Sequence, residues 1–351
     1  MKISIIIPSF RGENFISDIL KDITNQSYSN WELIVVGNGP CQELQRCVVE
    51  NASRNDRRIR YVTMGEHGVS KALNRGIEVA CGDWITFVDV DDRVSSDFLR
   101  TFIAHTSKLS DIIVGGIAYR NMYTRKMNYA DIEIMGNGYY TQCINEFIKV
   151  LLNDMAAMCS PCSKFYRATF LKNSSVRFKE DISICEDVIF NLQLALLCNS
   201  MTFFNRSGYV YCLRPQTSSI GKYHHCLAQA ESTRRDLMYH VMKCGGFSKI
   251  EIDHKMASMF AGDALDTILN LYRVGSPFGF RDKRRQLQNV YNDPKLINAW
   301  KVFNPPMSNI PLVLFRIFHT LRAPTFCLVT FHFLFCIRNF WRKINAAVRF
   351  S

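Results

Sequence analysis

The stretch Trp84-Ile85-Thr86-Phe87-Val88-Asp89-Val90-Asp91-Asp92 decides how this chain is read. Its first half is apolar apart from Thr86 and shows no polar alternation, the pattern of a strand covered on both faces of a sheet. Three carboxylates follow where that strand ends. Like charges this close repel unless a cation or hydrogen bonds compensate. Hard oxygen ligands suit Mg2+ or Mn2+, which commonly share coordination with substrate phosphates. The competing reading is an acidic turn that caps the next helix. The position after a buried strand, late in a series of strands and helices, favours the metal.

Upstream, Ile3–Ile7 is a continuous apolar run closed by Pro8, and Trp31–Val36 is a second, ended by Gly37-Asn38-Gly39-Pro40. A third strand is expected over Arg60–Thr63. Helices are expected over 14–25, where Phe15, Ile16, Ile19, Leu20 and Ile23 share a face, and over 41–53 and 70–81. This alternation predicts an α/β fold: a Rossmann-like, mostly parallel sheet flanked by helices. Ligands of such sheets bind outside the carboxyl ends of the strands, so the loops at 8–13, 37–40, 66–70 and 89–93 are the places to watch.

Downstream, the pattern predicts a helix over 97–108, a strand over 111–118, hairpins within 119–140 and a strand over 209–213. Cys185-Glu186-Asp187 opens an amphipathic helix over 186–198. A carboxylate in a first helical turn is favoured in its ionised form. Ionised, it can deprotonate an acceptor hydroxyl as general base; plain helix capping is the alternative. Residues 223–291 read as helical, and Pro294, Pro305, Pro306 and Pro311 predict a linker.

The chain has 351 residues, 48% of them apolar, and a net charge of +12. Eight of those excess charges follow Asp293, the last acidic residue. Between Arg322 and Arg338 no charge occurs, while Phe326, Leu328, Val329, Phe331, Phe333, Leu334 and Phe335 crowd together. That run is shorter than the roughly 20 apolar residues a membrane span needs. Apolar residues flanked by cations predict a helix lying on an anionic membrane surface. No nucleic-acid motif is present, so nucleic acid is not expected as a partner. Pro8-Ser9-Phe10-Arg11-Gly12 stands where a dinucleotide-binding G-x-G-x-x-G would, which excludes that class of oxidoreductase. The 13 cysteines are scattered, and Ile3–Ile7 is too short for a signal peptide. A reducing, cytoplasmic setting with buried thiols is expected. Cys159 and Cys162 have metal or redox spacing but no second pair, and neither they nor His224, His225 and Cys226 are expected to hold a metal. The expected division is a catalytic domain over 1–222, a helical region over 223–303 and a basic apolar tail over 304–351.

Together these stretches resemble glycosyltransferase family 2. The resemblance runs through Ile5-Ile6-Ile7-Pro8-Ser9-Phe10, Gln26-Ser27-Tyr28 and Trp31-Glu32-Leu33-Ile34-Val35-Val36. It continues through Gly68-Val69-Ser70-Lys71-Ala72-Leu73-Asn74-Arg75-Gly76-Ile77 and Asp89-Val90-Asp91-Asp92. Ser163-Lys164-Phe165-Tyr166-Arg167 and Glu186-Asp187-Val188-Ile189-Phe190-Asn191 complete it, so it covers about residues 1–215.

The resemblance implies a GT-A fold with a C-terminal helical extension. It also implies an inverting enzyme that moves one sugar from a nucleotide-sugar, a UDP-sugar by expectation, to a glycan or lipid-linked oligosaccharide in surface polysaccharide synthesis. By the same resemblance Pro8 and Phe10 line the nucleobase pocket, Asp89 lies near the ribose, and Asp91 and Asp92 hold Mn2+ or Mg2+ with the diphosphate. Asp187 is the base, Glu186 and Lys164 stand on the acceptor side, and Arg214 reaches the diphosphate. The implied location is the inner face of the cell membrane. One departure stands out: Gly37-Asn38-Gly39 lacks the family's acidic residue that reads the uracil imide. Asn38 can accept that hydrogen bond but carries no charge. The rival expectation is an inactive relative that only binds nucleotide-sugar or glycan.

Overall fold

The structure, a computed structural model, describes residues 1–39, 42–106, 110–122, 124, 126–130, 138–141, 159–214, 222–327 and 329–331. It forms two compact units, Met1–Thr217 with Asp236–Gly246, and Ser218–Arg235 with Phe247–Ser351.

The first unit opens with β1 (Ile3–Ser9), α1 (Ile16–Thr24), β2 (Trp31–Gly37), α2 (Gln42–Asn55), β3 (Ile59–Thr63), α3 (Val69–Val79) and β4 (Trp84–Phe87). Every residue of β1 and β2 is buried, as their unbroken apolar runs require. Helix α1 buries Ile16, Ile19, Leu20 and Ile23, one stripe at helical spacing. After the acidic turn come β5 (Arg93–Val94), α4 (Phe98–Ala104), β6 (Ile112–Asn121), β7 (Met127–Ala130), β8 (Gly138–Thr141), β9 (Lys164–Arg167), α5 (Ala168–Asn173), α6 (Glu186–Leu197) and β10 (Ser200–Leu213).

The strands lie in the order β3-β2-β1-β4-β9-β6-β10-β5, with β7 on β6 and β8 on β10. The parallel expectation holds for β3-β2-β1-β4. Beyond β4 the sheet is mixed: β9 runs antiparallel to β4 and β6, and β5 antiparallel to β10. The strand expected over 209–213 is the second half of a longer one. Its register shifts between Phe204 and Tyr209, where Arg206 and Gly208 adopt positive φ of 55° and 86°. The expected hairpin is β6 with β7.

The second unit holds the first half of α7 (Leu227–Cys244), then α8 (Lys249–Asn270), α9 (Phe280–Tyr291), α10 (Pro294–Val302) and α11 (Ile310–Thr320). The expected proline linker is therefore corrected. Pro294 and Pro311 sit in first helical turns, where a missing N–H costs nothing. The Asp293 carboxylate caps α10 by accepting from the Lys295 N–H at 2.8 Å. The described part of the tail expected from 304 onward contributes side chains to a core and leaves others exposed. Leu312, Phe315, Cys327 and Phe331 are buried in one core with Leu265, Leu287 and Trp300. Ile317, Leu321, Phe326 and Val329 remain exposed. Leu328 and residues 332–351 lie outside the described residues. Among the described residues no helix is long and apolar enough to cross a membrane.

Candidate active site

Two parallel strands end side by side at the first wall of the site. Ser9 pairs with Gly37 in the register of β1 and β2, and the Asn38 N–H donates to the Ser9 carbonyl at 3.1 Å. Pro8 is buried within β1, while Phe10, just past its end, keeps 46% of its surface exposed. The Arg11 guanidinium lies 5.5 Å from the Phe10 ring centroid. A side chain at Gly37 would collide with the Tyr61 hydroxyl, so only glycine fits that strand end. Asn38 is 2% exposed, and its Oδ1 has no hydrogen-bond partner. A native fold leaves few buried acceptors unmade, and one at a strand end marks a place for a donor. His67, which sequence reasoning did not single out, brings Nδ1 within 3.0 Å of the Asn38 carbonyl.

The acidic turn after β4 splits its three carboxylates between different surroundings. Asp92 is 2% exposed. Its carboxylate accepts from the Tyr209 hydroxyl at 2.6 Å and from the Cys212 N–H at 2.8 Å. Both oxygens of Asp92, expected toward a metal, thus serve strand β10. Asp91 is more open, at 37% side-chain exposure, and accepts from Arg214 at 3.2 Å. The Arg214 guanidinium also lies 4.7 Å from the Phe15 ring centroid. Burial first, then the charge of Asp91, pushes the Asp89 carboxyl up to about 6, against a hydrogen bond from the Cys162 thiol; Glu186 adds to the rise. The turn is anchored outside as well. Arg93 donates twice to Asp22 of α1, at 2.6 Å each. Gln26 donates to the Ser95 carbonyl at 2.6 Å and accepts from the Leu99 N–H at 3.0 Å, which explains its place in the Gln26-Ser27-Tyr28 motif.

Opposite stands the first turn of α6. Cys185 caps it with a φ of 64°, and Glu186 and Asp187 follow. Burial, then the charges of Glu186 and Asp89, hold the Asp187 carboxyl well above the usual carboxylate range, with Lys164 opposing. The helix N-terminus was expected to favour the ionised form. Burial outweighs it here, so the Asp187 carboxyl holds its proton more tightly than an ordinary carboxyl. Glu186 is raised by burial as well. Lys164, expected toward an acceptor, is 1% exposed on the interior strand β9 and donates to the Ser160 carbonyl.

What holds these two acidic groups together is an aromatic floor. Phe178 stacks on Phe190 at 3.9 Å, and Phe87 meets Phe178 edge-on at 5.5 Å. Phe87 lies two residues before Asp89, and Phe190 three residues after Asp187. Asn74 of α3 fixes the third member: its amide donates to the Phe178 carbonyl at 2.9 Å and accepts from the Phe178 N–H at 2.9 Å. The Tyr166 hydroxyl donates to Asn191 at 2.8 Å, and Asn191 donates to the Asp187 carbonyl at 3.1 Å. Of these, Asn74 and Asn191 were visible in the sequence only as parts of longer motifs.

Among the described residues no three His, Cys, Asp or Glu side chains converge as a ready metal cage. Mg2+ and Mn2+ need no such cage where a diphosphate supplies oxygens, and one or two carboxylates suffice. The half-open Asp91 beside Asp89 fits that requirement. Cys162 is buried and its thiol donates to Asp89, while the Cys159 carbonyl accepts from Asn191 at 2.7 Å. His224 is tied instead through its backbone to Asn270. Of the thiols expected to be buried, Cys198 and Cys327 are, whereas Cys47 and Cys81 are exposed.

Comparison with known proteins agrees with this geometry. Residues 4–174 match the family model described as Glycosyl transferase family 2. Glycosyltransferase GlyA of Streptococcus pneumoniae serotype 4 is 30% identical over 255 residues, 68% of this chain and 34% of that protein. The uncharacterized glycosyltransferase EpsJ of Bacillus subtilis is 27% identical over 216 residues, 61% of this chain and 62% of that one. The chain thus spans about a third of the first relative and less than two thirds of the second. Staphylococcus aureus TarS 1–349, solved in complex with UDP-GlcNAc, superposes with a TM-score of 0.64 over 93% of this chain and 90% of that one, at 17% identity. The acidic turn after β4, the paired ends of β1 and β2 and these matches lead to one conclusion: the chain belongs to glycosyltransferase family 2 and has the GT-A fold.

Proposed function

We propose that the protein transfers a single sugar from a UDP-sugar to a glycan hydroxyl, with inversion and with the help of Mn2+ or Mg2+. The observation that carries this reading is the shared aromatic floor under Asp89 and Asp187, which keeps the acidic turn and the base within reach of each other's charge. Asp187 takes the proton of the acceptor hydroxyl as its oxygen attacks the anomeric carbon. The bond from that carbon to the diphosphate oxygen breaks on the opposite side, so one displacement inverts the centre. Asp91 would hold the divalent ion, with Asp89 beside it. When bound, the ion neutralises the leaving diphosphate as a Lewis acid.

The chain's other groups bind and orient. The unpartnered Oδ1 of Asn38 accepts the uracil imide N–H, and the exposed Phe10 ring supports the base. Arg214, which pairs with Asp91, would donate to the diphosphate of the donor. The TarS fragment of the same fold is solved with UDP-GlcNAc, which fits a UDP-sugar donor. The exposed Ile317, Leu321, Phe326 and Val329 near Arg316 and Arg322 suit an anionic membrane surface, where a lipid-linked acceptor would be met. Surface polysaccharide synthesis on the cytoplasmic face is the setting this implies.

A ligand that binds only the folded state raises its stability, so a screen of nucleotide-sugars by thermal shift tests the donor. A Mn2+-dependent rise with UDP-sugars, lost in Asp91→Asn, is expected. No shift with any nucleotide-sugar would refute the reading.

A further inference from the structure

The second unit encloses a cavity of about 190 Å3 between the first half of α7, α8 and the start of α10. Glu231 lines it while only 3% exposed, and its Oε1 has no hydrogen-bond partner. A buried carboxyl left unmade needs an explanation, and an unfilled binding site is one. Its neighbour Asp263 is already satisfied, since Arg234 and Arg235 donate to its two oxygens. Arg235 also lies 4.4 Å from the Phe260 ring centroid, and the Lys295 ammonium 5.7 Å from the same ring. The wall thus mixes a free acceptor at Glu231, a hydroxyl at Thr267, a cationic donor at Lys295 and an apolar patch at Phe260.

The signs of charge narrow the ligand. A cation would face Arg235 and Lys295, an anion would face Asp263, and the buried Glu231 carboxyl carries no charge to offset either. A neutral ligand meets neither penalty. Hydroxyl groups both donate and accept, so one molecule carrying several of them can satisfy Glu231, Thr267 and Lys295 together. The cavity is smaller than the roughly 300–1,000 Å3 that encloses drug-sized ligands, which limits it to a compact molecule. We propose that this cavity binds one sugar ring or short polyol through Glu231, Thr267 and Lys295, as a carbohydrate subsite separate from the donor pocket. It requires neither the metal nor the transfer reaction.

Titration of the full chain with glucose, N-acetylglucosamine, ribitol and glycerol, read by saturation-transfer NMR, tests this. At least one probe should bind saturably, unchanged by saturating UDP and by Asp91→Asn. Glu231→Leu should weaken it about tenfold, the scale of one or two lost hydrogen bonds. Thr267→Val should weaken it about threefold, and it keeps the test alive if the first variant folds poorly. Absence of saturable binding for all four probes overturns the proposal. So does wild-type affinity in both variants, or competition with UDP. Failure of the transfer reading would show in donor use and leave these titrations untouched.

Discussion

The Tyr209 hydroxyl donates to the Asp92 carboxylate at 2.6 Å and at the same time accepts from the Asp89 N–H at 3.2 Å. One phenol on the last long strand therefore braces both ends of the acidic turn, and Asp92 serves the fold through it. Removing the hydroxyl leaves a buried carboxylate with one donor fewer and an amide without its acceptor. Tyr209→Phe should lower unfolding stability by about 1–3 kcal/mol in urea denaturation. Asp92→Asn keeps the shape and one accepting oxygen for the Cys212 N–H, and the Tyr209 hydroxyl can turn to accept from its NH2, so it should retain more transfer activity than Asp91→Asn. Equal loss in the two asparagine variants would return Asp92 to the metal.

Asn74 lies far along the chain from Asp187, yet it clamps the backbone of Phe178, whose ring stacks beneath the first turn of α6. Asn74→Ala breaks three hydrogen bonds, two with Phe178 and one to Glu180, and frees the loop that leads to Asp187. Its role is positioning, so kcat should fall about tenfold or more while the donor Kd stays within about twofold. Parallel losses in kcat and donor binding would point to general unfolding of the site instead.

Much of this was legible beforehand. The unbroken apolar runs of β1, β2 and β4 announced a parallel half-sheet, because strands covered on both faces leave no polar alternation. The acidic turn stood out because charges at the end of a buried strand need compensation, whereas the Asp187 pattern alone fits helix capping as well and was singled out by the family resemblance. Strand β9 was not legible, since four residues that include a lysine carry no strand pattern, and its place between β4 and β6 is set by long-range pairing. Nor could the sequence separate Asp91 from Asp92. Which carboxylate turns inward depends on Tyr209, well over a hundred residues away. Helices α10 and α11 were hidden because prolines read as breakers unless their position in a first turn is known.

Glu231 makes the stability of the protein depend on pH. Burial first, then the charges of Asp263 and Asp266, push its carboxyl up to about 8, with Arg234 and Arg235 opposing. In the folded state it holds a proton that the unfolded chain releases near its ordinary value of about 4.5. Stability from this group is therefore full at low pH and is lost as pH rises from about 4.5 through about 8. Glu231→Gln removes the titration. Its melting temperature relative to wild type should climb across that window, by a few degrees for each kcal/mol involved. A constant difference between the two proteins from acid to alkaline pH would contradict the assignment.

Asp187 carries the central claim, and the most direct measurement pairs donor binding with transfer in a single variant. Asp187→Asn should bind a UDP-sugar with Mn2+ about as well as wild type. Its sugar transfer should fall by a factor of about 10²–10⁴, the usual share of a general base. Transfer at the wild-type rate by Asp187→Asn would contradict the account.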